Sequence, residues 1–258
     1  MRFLRILALL CVQSAVAGAA LASCPGPIVS REPMLWRAAL AAGEVGVTFL
    51  GHASFLIESP GGVSIVTDYN GFNRPRRVPD IVTMNNAHST HYTDFPDPGI
   101  KYVLRGWDPA GGMAVHDLTY RDVHIRNVPT NVRDFAGGTR YNGNSIFIFE
   151  LADLCIAHLG HLHHVLTPEH LADIGQLDVV MVPVDGSWTM DQGGMLEVIA
   201  QLHAPLLIPM HYFGTRTLQA FLERVRETYA IKLSDSASVT LSRATLPTRP
   251  EVLVLPGY

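Results

Sequence analysis

Leu206-Leu207-Ile208-Pro209-Met210-His211-Tyr212 is the stretch from which the fold is read. Five apolar residues run without a polar break, then a histidine follows at once. A continuous apolar run of this length is typical of a strand covered on both faces, as in a parallel sheet between two layers. Val179 to Val184 repeats the pattern and ends at Asp185. Ile81 to Met84 is a shorter version, followed by Asn85-Asn86-Ala87-His88-Ser89-Thr90-His91. Leu154 to Ala157 leads into His158-Leu159-Gly160-His161-Leu162-His163-His164. Three apolar strands therefore end in histidine. Ligand sites of α/β sheets lie beyond the carboxyl ends of strands. Imidazole is the commonest protein ligand for Zn²⁺ and also suits Fe, Cu and Ni.

Outward from these runs the chain alternates short apolar segments with turn signals. Val45 to Glu58 reads as a strand pair around Gly51, and Val63 to Thr67 as a further strand ending at Asp68. Tyr102 to Leu104, Val123 to Val128, Val239 to Leu241 and Val252 to Leu255 are strand candidates. Ser145 to Glu150 and Leu154 to His158 form a hairpin across Ala152-Asp153. Thr167-Pro168 caps a helix to Ile174, with Gly175 ending it. Met195 to Leu202 and Leu218 to Thr228 are two more helices, the last with Leu218, Phe221, Leu222 and Val225 at helical spacing. Strands dominate the first half, and helix and strand alternate in the second. That order predicts an α/β protein with two packed sheets and helices outside.

The chain of 258 residues is 48% hydrophobic and 16% charged, a globular composition. It holds no visible repeat and no Pro/Ser-rich or charge-rich linker, so one domain is expected over residues 24–258. Residues 1–23 read as a secretory signal: Arg2 and Arg5, then the apolar stretch from Leu4, then small residues. Two processing routes stay open. Ala20 and Ala22 make an A-x-A-like cleavage site, whereas Leu21-Ala22-Ser23-Cys24 resembles a lipobox that would lipidate Cys24. The protein is accordingly expected to be exported, either periplasmic or a membrane-anchored lipoprotein, with membrane contact only through a lipid on Cys24. Losing Arg2 and Arg5 leaves 17 basic against 23 acidic residues, a formal charge of −6. With no basic run, nucleic acid is excluded as an expected partner. A small-molecule substrate is the expected partner instead. Of three cysteines, Cys11 lies in the signal and Cys155 in an apolar run, where a buried thiol is expected.

The chain also resembles the metallo-β-lactamase-fold hydrolases, nearest to the branch with L-ascorbate-6-phosphate lactonase-like proteins. Thr48-Phe49-Leu50-Gly51-His52-Ala53-Ser54-Phe55-Leu56-Ile57 is similar to that branch's "GHASFLI"-type opening. Asp68 resembles its strand-end Asp, Ile156-Ala157-His158-Leu159-Gly160 its "HLGD" segment, and Ile208 to Tyr212 its last core strand. The resemblance runs from about Val45 to Phe221 and implies a four-layer αββα sandwich with a metal site at one edge.

The departures shape the expected site. The family loop is HxHxDH; here Asn86, His88, Thr90 and His91 stand at its first His, second His, Asp and third His. Thr130-Asn131-Val132 stands where the family has a further His, and His161 stands at its bridging Asp. The resemblance therefore implies one metal ion rather than two, held by His88, His91, His161 and His211. Zn is the expected metal, with Fe or Mn as alternatives, since four histidines saturate a tetrahedral Zn²⁺ while a five- or six-coordinate ion keeps room for water. Asp185 is a candidate base or extra ligand, against the reading of a turn residue that caps Gly186-Ser187. Asp134 has a weaker claim of the same kind. Asp68, His52, Asn86, His158 and His164 are expected around the ligands or the pocket. Tyr141, Trp188 and Tyr212 are pocket candidates, with ordinary aromatic packing as the competing reading. Three functions follow: a metal-dependent hydrolase of an ester, lactone, amide or phosphoester; a binding or structural protein that has lost the chemistry; and a redox site suggested by all-histidine ligation.

Overall fold

A computed structural model describes residues 39–85, 88–134 and 136–257. The expected signal and lipidation site, and the Asn86 position, lie outside those residues. In chain order the elements are β1 (Glu44–Gly51), β2 (Ser54–Glu58), β3 (Ser64–Val66), β4 (Ile81–Met84), β5 (Tyr102–Arg105), β6 (Asp117–Tyr120), β7 (Val123–Arg133), β8 (Thr139–Leu151) and β9 (Leu154–His158). They continue with α1 (Pro168–Ile174), β10 (Val179–Pro183), α2 (Gln192–Leu202), β11 (Leu206–Met210), α3 (Thr215–Val225), β12 (Ala230–Leu233), β13 (Ser238–Ser242) and β14 (Glu251–Val254).

The strands form two sheets. One has six strands in the order β13-β1-β2-β3-β4-β5, the other eight in the order β12-β14-β11-β10-β9-β8-β7-β6. The continuous apolar runs explain the layering. Along β10, Val179 and Met181 join the cluster between the sheets, while Val180 and Val182 join the cluster under the helices. Along β11, Leu206, Ile208 and Met210 face the other sheet and Leu207 faces the helices. Side chains alternate with period 2, so a strand buried on both faces must be apolar at every position. The opposing sheet contributes Phe49, Phe55, Ile57, Ile65 and Ile81 to the shared core. Ile174 of α1, Val198 and Ile199 of α2, and Phe221 and Val225 of α3 cover the outer face of the eight-stranded sheet. The outer face of the six-stranded sheet is closed over Val66, Val82 and Met84 by Tyr69, Tyr92, Ile100 and Trp107 from the loops, not by a helix among the described residues.

Parallel pairing positions the site. β3, β4 and β5 run parallel, as do β9, β10, β11, β14 and β12. Parallel strands deliver their carboxyl ends to one edge of a sheet. Asp68 follows β3, His88 and His91 follow β4, His161 follows β9, Asp185 follows β10 and His211 follows β11.

Several elements differ from their sequence reading. β7 and β8 are 11 and 13 residues long, well beyond the apolar segments that announce them. Their outer halves are polar and turn over Gly137-Gly138, so the apolar periodicity stops before the hairpin does. Helix α2 begins three residues earlier than its apolar face, because Asp191 accepts hydrogen bonds from the Gly193 and Gly194 amides and caps the first turn. Helix α3 is displaced toward its N-terminus by the same three residues. β12, at a sheet edge with every residue exposed, offers no apolar alternation to read. Cys155 is only half-buried and free of disulfide bonding.

Away from the site, His124 bridges β6 and β8, with Nδ1 3.0 Å from Glu150 Oε2 and Nε2 2.6 Å from Asp117 Oδ1. Hydrogen bonds to Glu150 and then Asp117 raise its pKa above the usual imidazole value. A raised folded pKa gives stability that is complete below the unfolded value of about 6.5 and is lost as pH climbs through the folded one. His124→Gln should therefore lower the urea midpoint at about pH 6 and not at about pH 9. The pair is largely solvated, so the effect sits at the ~0.2–1 kcal/mol scale of surface ion pairs. An equal loss at both pH values would show that the bridge carries no charge.

Candidate metal centre

The site gathers on the shared edge of the two sheets. His91 and His211 are fully buried and His161 is 3% exposed. The Nε2 atoms of His91 and His211 face each other at 3.0 Å. The ring centroids of His88 and His91 lie 4.5 Å apart, and His161 stands 5.0 Å from His88, 5.0 Å from His91 and 5.1 Å from His211. All four residues of the sequence-derived quartet are thus brought together.

Three of the four rings are held from behind. Asp68 Oδ2 lies 2.6 Å from His91 Nδ1, and Asp185 Oδ1 lies 3.1 Å from His211 Nδ1. A carboxylate accepting the Nδ1–H leaves the Nε2 lone pair directed inward. Thr90 Oγ1 lies 2.8 Å from both His88 Nδ1 and His52 Nε2. A hydroxyl donates one proton, so an Nδ1–H on His88 pairs with donation from Thr90 to His52, and His88 Nε2 is then also a free lone pair. Thr90 thus fixes an imidazole through its hydroxyl.

Burial drives His91 well below the imidazole range, with the neighbouring His211 adding to the effect, and drives Asp68 well above the carboxylate range against the hydrogen bond from Asn85. Burial, then the charges of His211 and His88, lowers His52 and His161 to about 3, and burial followed by His211 lowers His88 to about 4. For Asp185, burial acts upward but is outweighed by the hydrogen bond and charge of His211 and by Thr189 and Ser187, leaving it well below the carboxylate range. Burial thus disfavours the protonated forms of His52, His88, His91 and His161, and a metal requires the neutral form.

The unsatisfied atoms test whether a cation fits. His88 Nε2 and both ring nitrogens of His161 are buried without a hydrogen-bond partner. Such atoms cost roughly 1–3 kcal/mol each when left unpaired. Together with the two Nε2 atoms at 3.0 Å, they give four convergent imidazole faces and no anion among them. Two nitrogens each about 2.0–2.1 Å from one Zn²⁺ fall near this separation. The donor set fits a cation. His52, His88, His91 and His211 also form a group whose ligand atoms lie within 4.8 Å of one another. His161 stands outside that group, with its ring centroid 5.0 Å from those of His88 and His91 and 5.1 Å from that of His211.

The other sequence-derived residues fall at graded distances. Asp185 stands behind His211 and accepts from the backbone N–H groups of Ser187 and Trp188 as well, so it combines the cap reading with a grip on the ligand. Neither Asp68 nor Asp185 is free to act as a base. His158 is in the core, 2.7 Å from the Ala53 carbonyl oxygen and one residue removed from His52. His164 does not reach the quartet; its Nε2 accepts from the Asn131 amide and helps seat the β7–β8 hairpin. Asp134 binds the amides of Ala136 and Gly138 in the tip of that hairpin. Tyr212 packs against Phe49 in the core, while Trp188 is exposed with its ring 6.2 Å from His88.

Two residues escaped the sequence reading. Asn85 is fully buried, donates to Asp68 Oδ1 at 2.9 Å and accepts from the Ser145 amide at 2.8 Å. Asn144 accepts from the His161 amide at 2.7 Å and donates to Thr130 and to the Leu159 carbonyl. They hold the ligand-bearing loops of both sheets. A polar residue directly after an apolar strand is the only signal for Asn85, and nothing distinguishes Asn144 within its polar run.

Backbone strain marks the same edge. His52, Asp68 and His211 have φ of 53°, 43° and 55°, in the left-handed region that non-glycine residues rarely enter. The His211 amide donates to the His52 carbonyl at 2.7 Å. Strained non-glycine residues collect where surrounding contacts over-determine a functional geometry.

Comparison with known proteins supplies the lineage. Residues 46–211 match the model of a family described as the beta-lactamase superfamily domain, a span that runs from β1 to His211. This chain belongs to the beta-lactamase superfamily. It is 28% identical over 193 residues to a UPF0173 metal-dependent hydrolase of Pyrococcus abyssi, covering 65% of this chain and 84% of that one. It is 24% identical over 197 residues to a UPF0173 metal-dependent hydrolase of Thermoplasma volcanium, covering 66% of this chain and 84% of that one. A crystal structure from Thermotoga maritima, of a protein assigned to the metallo-beta-lactamase superfamily, aligns with a TM-score of 0.60 at 28% identity. That alignment covers 83% of this chain and all of the other. The chain thus has the metallo-β-lactamase fold.

Proposed function

We propose that the protein is a metal-dependent hydrolase with one cation, Zn²⁺, held by His88, His91, His161 and His211. The observation that carries the proposal is the convergence of buried imidazole nitrogens that have no other partner: His88 Nε2 and both nitrogens of His161, beside the facing Nε2 atoms of His91 and His211. The relatives named as metal-dependent hydrolases, and the provisional description of the Thermotoga maritima protein as Zn-dependent, support it.

When bound, the cation would act as a Lewis acid toward a water and toward a carbonyl or phosphoryl oxygen. The chain's own part is to hold tautomers and admit substrate. Asp68, Asp185 and Thr90 keep protons on the outer nitrogens of His91, His211 and His88. A cavity of about 350 Å³, lined by His88 and His161 and open to solvent, meets the quartet on one side. A closed structural site would have no such approach. The substrate class is an ester, lactone, amide or phosphoester; the resemblance of Gly51 to Ile57 to the lactonase-like branch favours a lactone or ester within that set. The leader-like stretch with Arg2, Arg5 and Cys24 supports a reaction outside the cytoplasm.

Elemental analysis of the purified protein tests this. Close to one metal ion per chain is expected. Chelator should lower the melting temperature and abolish ester hydrolysis, with both restored by added Zn²⁺. Protein that contains no stoichiometric metal and melts identically with and without chelator would reject the proposal and favour a binding protein. Iron in place of zinc would favour the redox reading.

A further inference from the structure

The long hairpin of β7 and β8 does more than close a sheet. β9 pairs with β8 only from Phe147 to Leu151, with Phe147 opposite His158. Residues 139–146 of β8 and their β7 partners therefore run on past the carboxyl end of β9, the end that carries His161. The overhang is seated on the loop after His161. His163 Nδ1 lies 3.1 Å from the Asn131 carbonyl oxygen, and the Asn131 amide donates to His164 Nε2 at 3.2 Å. Arg133, the last residue of β7, is carried to the rim of the about 350 Å³ cavity whose wall includes His88 and His161.

Arg133 makes one hydrogen bond, from Nη1 to the Ser187 carbonyl oxygen at 3.2 Å, and no ion pair among the described residues. A guanidinium is charged at any physiological pH and presents five donors, so most of its capacity is unused. The other charged group in the lining, Asp134, has its Oδ1 committed to the amides of Ala136 and Gly138. Gly137, Ser187 and Trp188 complete the wall, and Trp188 stands 57% exposed beside His88. An exposed indole and an unpaired guanidinium flanking one cavity form a recognition pair: a flat apolar surface next to a fork that fits a planar or tetrahedral anion.

We propose that this cavity binds substrates carrying a carboxylate or phosphate group, with Arg133 holding the anion and Trp188 packing on the adjoining apolar part. The proposal rests on the hydrolase reading for what happens next, but not for the binding itself. It names Arg133 and Trp188 as the residues that select substrate among the many esters and amides a metal centre could attack.

Calorimetric titration of chelator-treated protein near neutral pH separates the two. The probes are benzoate, phenyl phosphate and, as the neutral control, benzyl alcohol. Wild type should bind at least one anion well above benzyl alcohol, and the tighter of the two identifies the anion. Arg133→Gln should weaken the anion about 10- to 100-fold, the scale of a lost charge-assisted hydrogen-bond pair, and leave benzyl alcohol unchanged. Trp188→Ala should weaken all three alike. Both residues are exposed, so neither variant should affect folding. Benzyl alcohol binding as tightly as the anions, or Arg133→Gln binding them like wild type, overturns the proposal. A protein that holds no metal yet selects anions through Arg133 defeats the hydrolase reading alone. A metal-loaded esterase indifferent to Arg133→Gln defeats this one alone.

Discussion

His211→Ala should yield a protein that no longer retains metal through gel filtration, with ester hydrolysis reduced to background. The residue is fully buried, its Nε2 faces that of His91 at 3.0 Å, and its ring lies 5.1 Å from His161. Truncation removes one donor of four and also leaves Asp185 without its imidazole. A buried carboxylate stripped of a partner costs several kcal/mol, so part of the loss will appear as instability. His211→Gln separates the effects, because an amide can still donate to Asp185 but is a poor ligand. The Gln variant should fold, lose metal, and lose catalysis by at least about 10³-fold, the order expected when the group polarising water is removed. Asp185→Asn should be milder, with metal affinity down roughly 10- to 100-fold, the usual cost of removing the partner behind a ligating histidine. If His211→Gln keeps a full complement of metal and activity, neither the quartet nor the group of His52, His88, His91 and His211 is the metal centre.

What could be read from sequence, and what could not, divides along physical lines. β10 and β11 were legible because burial on both faces demands unbroken apolar runs, and His211 was legible because it follows such a run directly. The convergence of His88, His91 and His161 needed topology: parallel pairing of β3 with β4, and of β9 with β10 and β11, brings their carboxyl ends to one edge. The family resemblance provided that topology; periodicity would not have. The outer halves of β7 and β8 were illegible because a hairpin that overhangs solvent has no apolar face. Arg133 was missed for that reason. Trp188 was seen but weighed as packing, since exposure cannot be read from residue type. Asp185 illustrates the opposite case: its base and cap readings were both plausible locally, and only the position of His211, 26 residues later, shows that its carboxylate serves both a turn and a ligand.

The sharpest stability effect is expected at Gly160, between the core histidine His158 and His161 of the candidate site. Its φ is 60°, and a Cβ there would lie 2.4 Å from Asn144 Oδ1 and 2.4 Å from Asn85 Nδ2. Neither amide can retreat. Asn85 is tied to Asp68 and the Ser145 amide, and Asn144 to the His161 amide, Thr130 and the Leu159 carbonyl. Gly160→Ala therefore adds about 1–2 kcal/mol of left-handed strain, about 1–3 kcal/mol of overpacking and the loss of at least one buried hydrogen bond. A total destabilisation of about 3–5 kcal/mol is expected, read as a shifted urea midpoint in chelator-treated protein. Gly62→Ala is the control: its φ is 78° with nothing within 4 Å of the added Cβ, so it should cost only the strain, about 1–2 kcal/mol. Equal losses in the two variants would mean that Asn85 and Asn144 yield easily and do not hold the ligand loops. A much larger loss at Gly160, with weaker metal retention in whatever protein folds, would show that one buried amide pair sets both the stability of this edge and the placement of Asp68 and His161. The two asparagines would then fix the loops that carry Asp68 and His161.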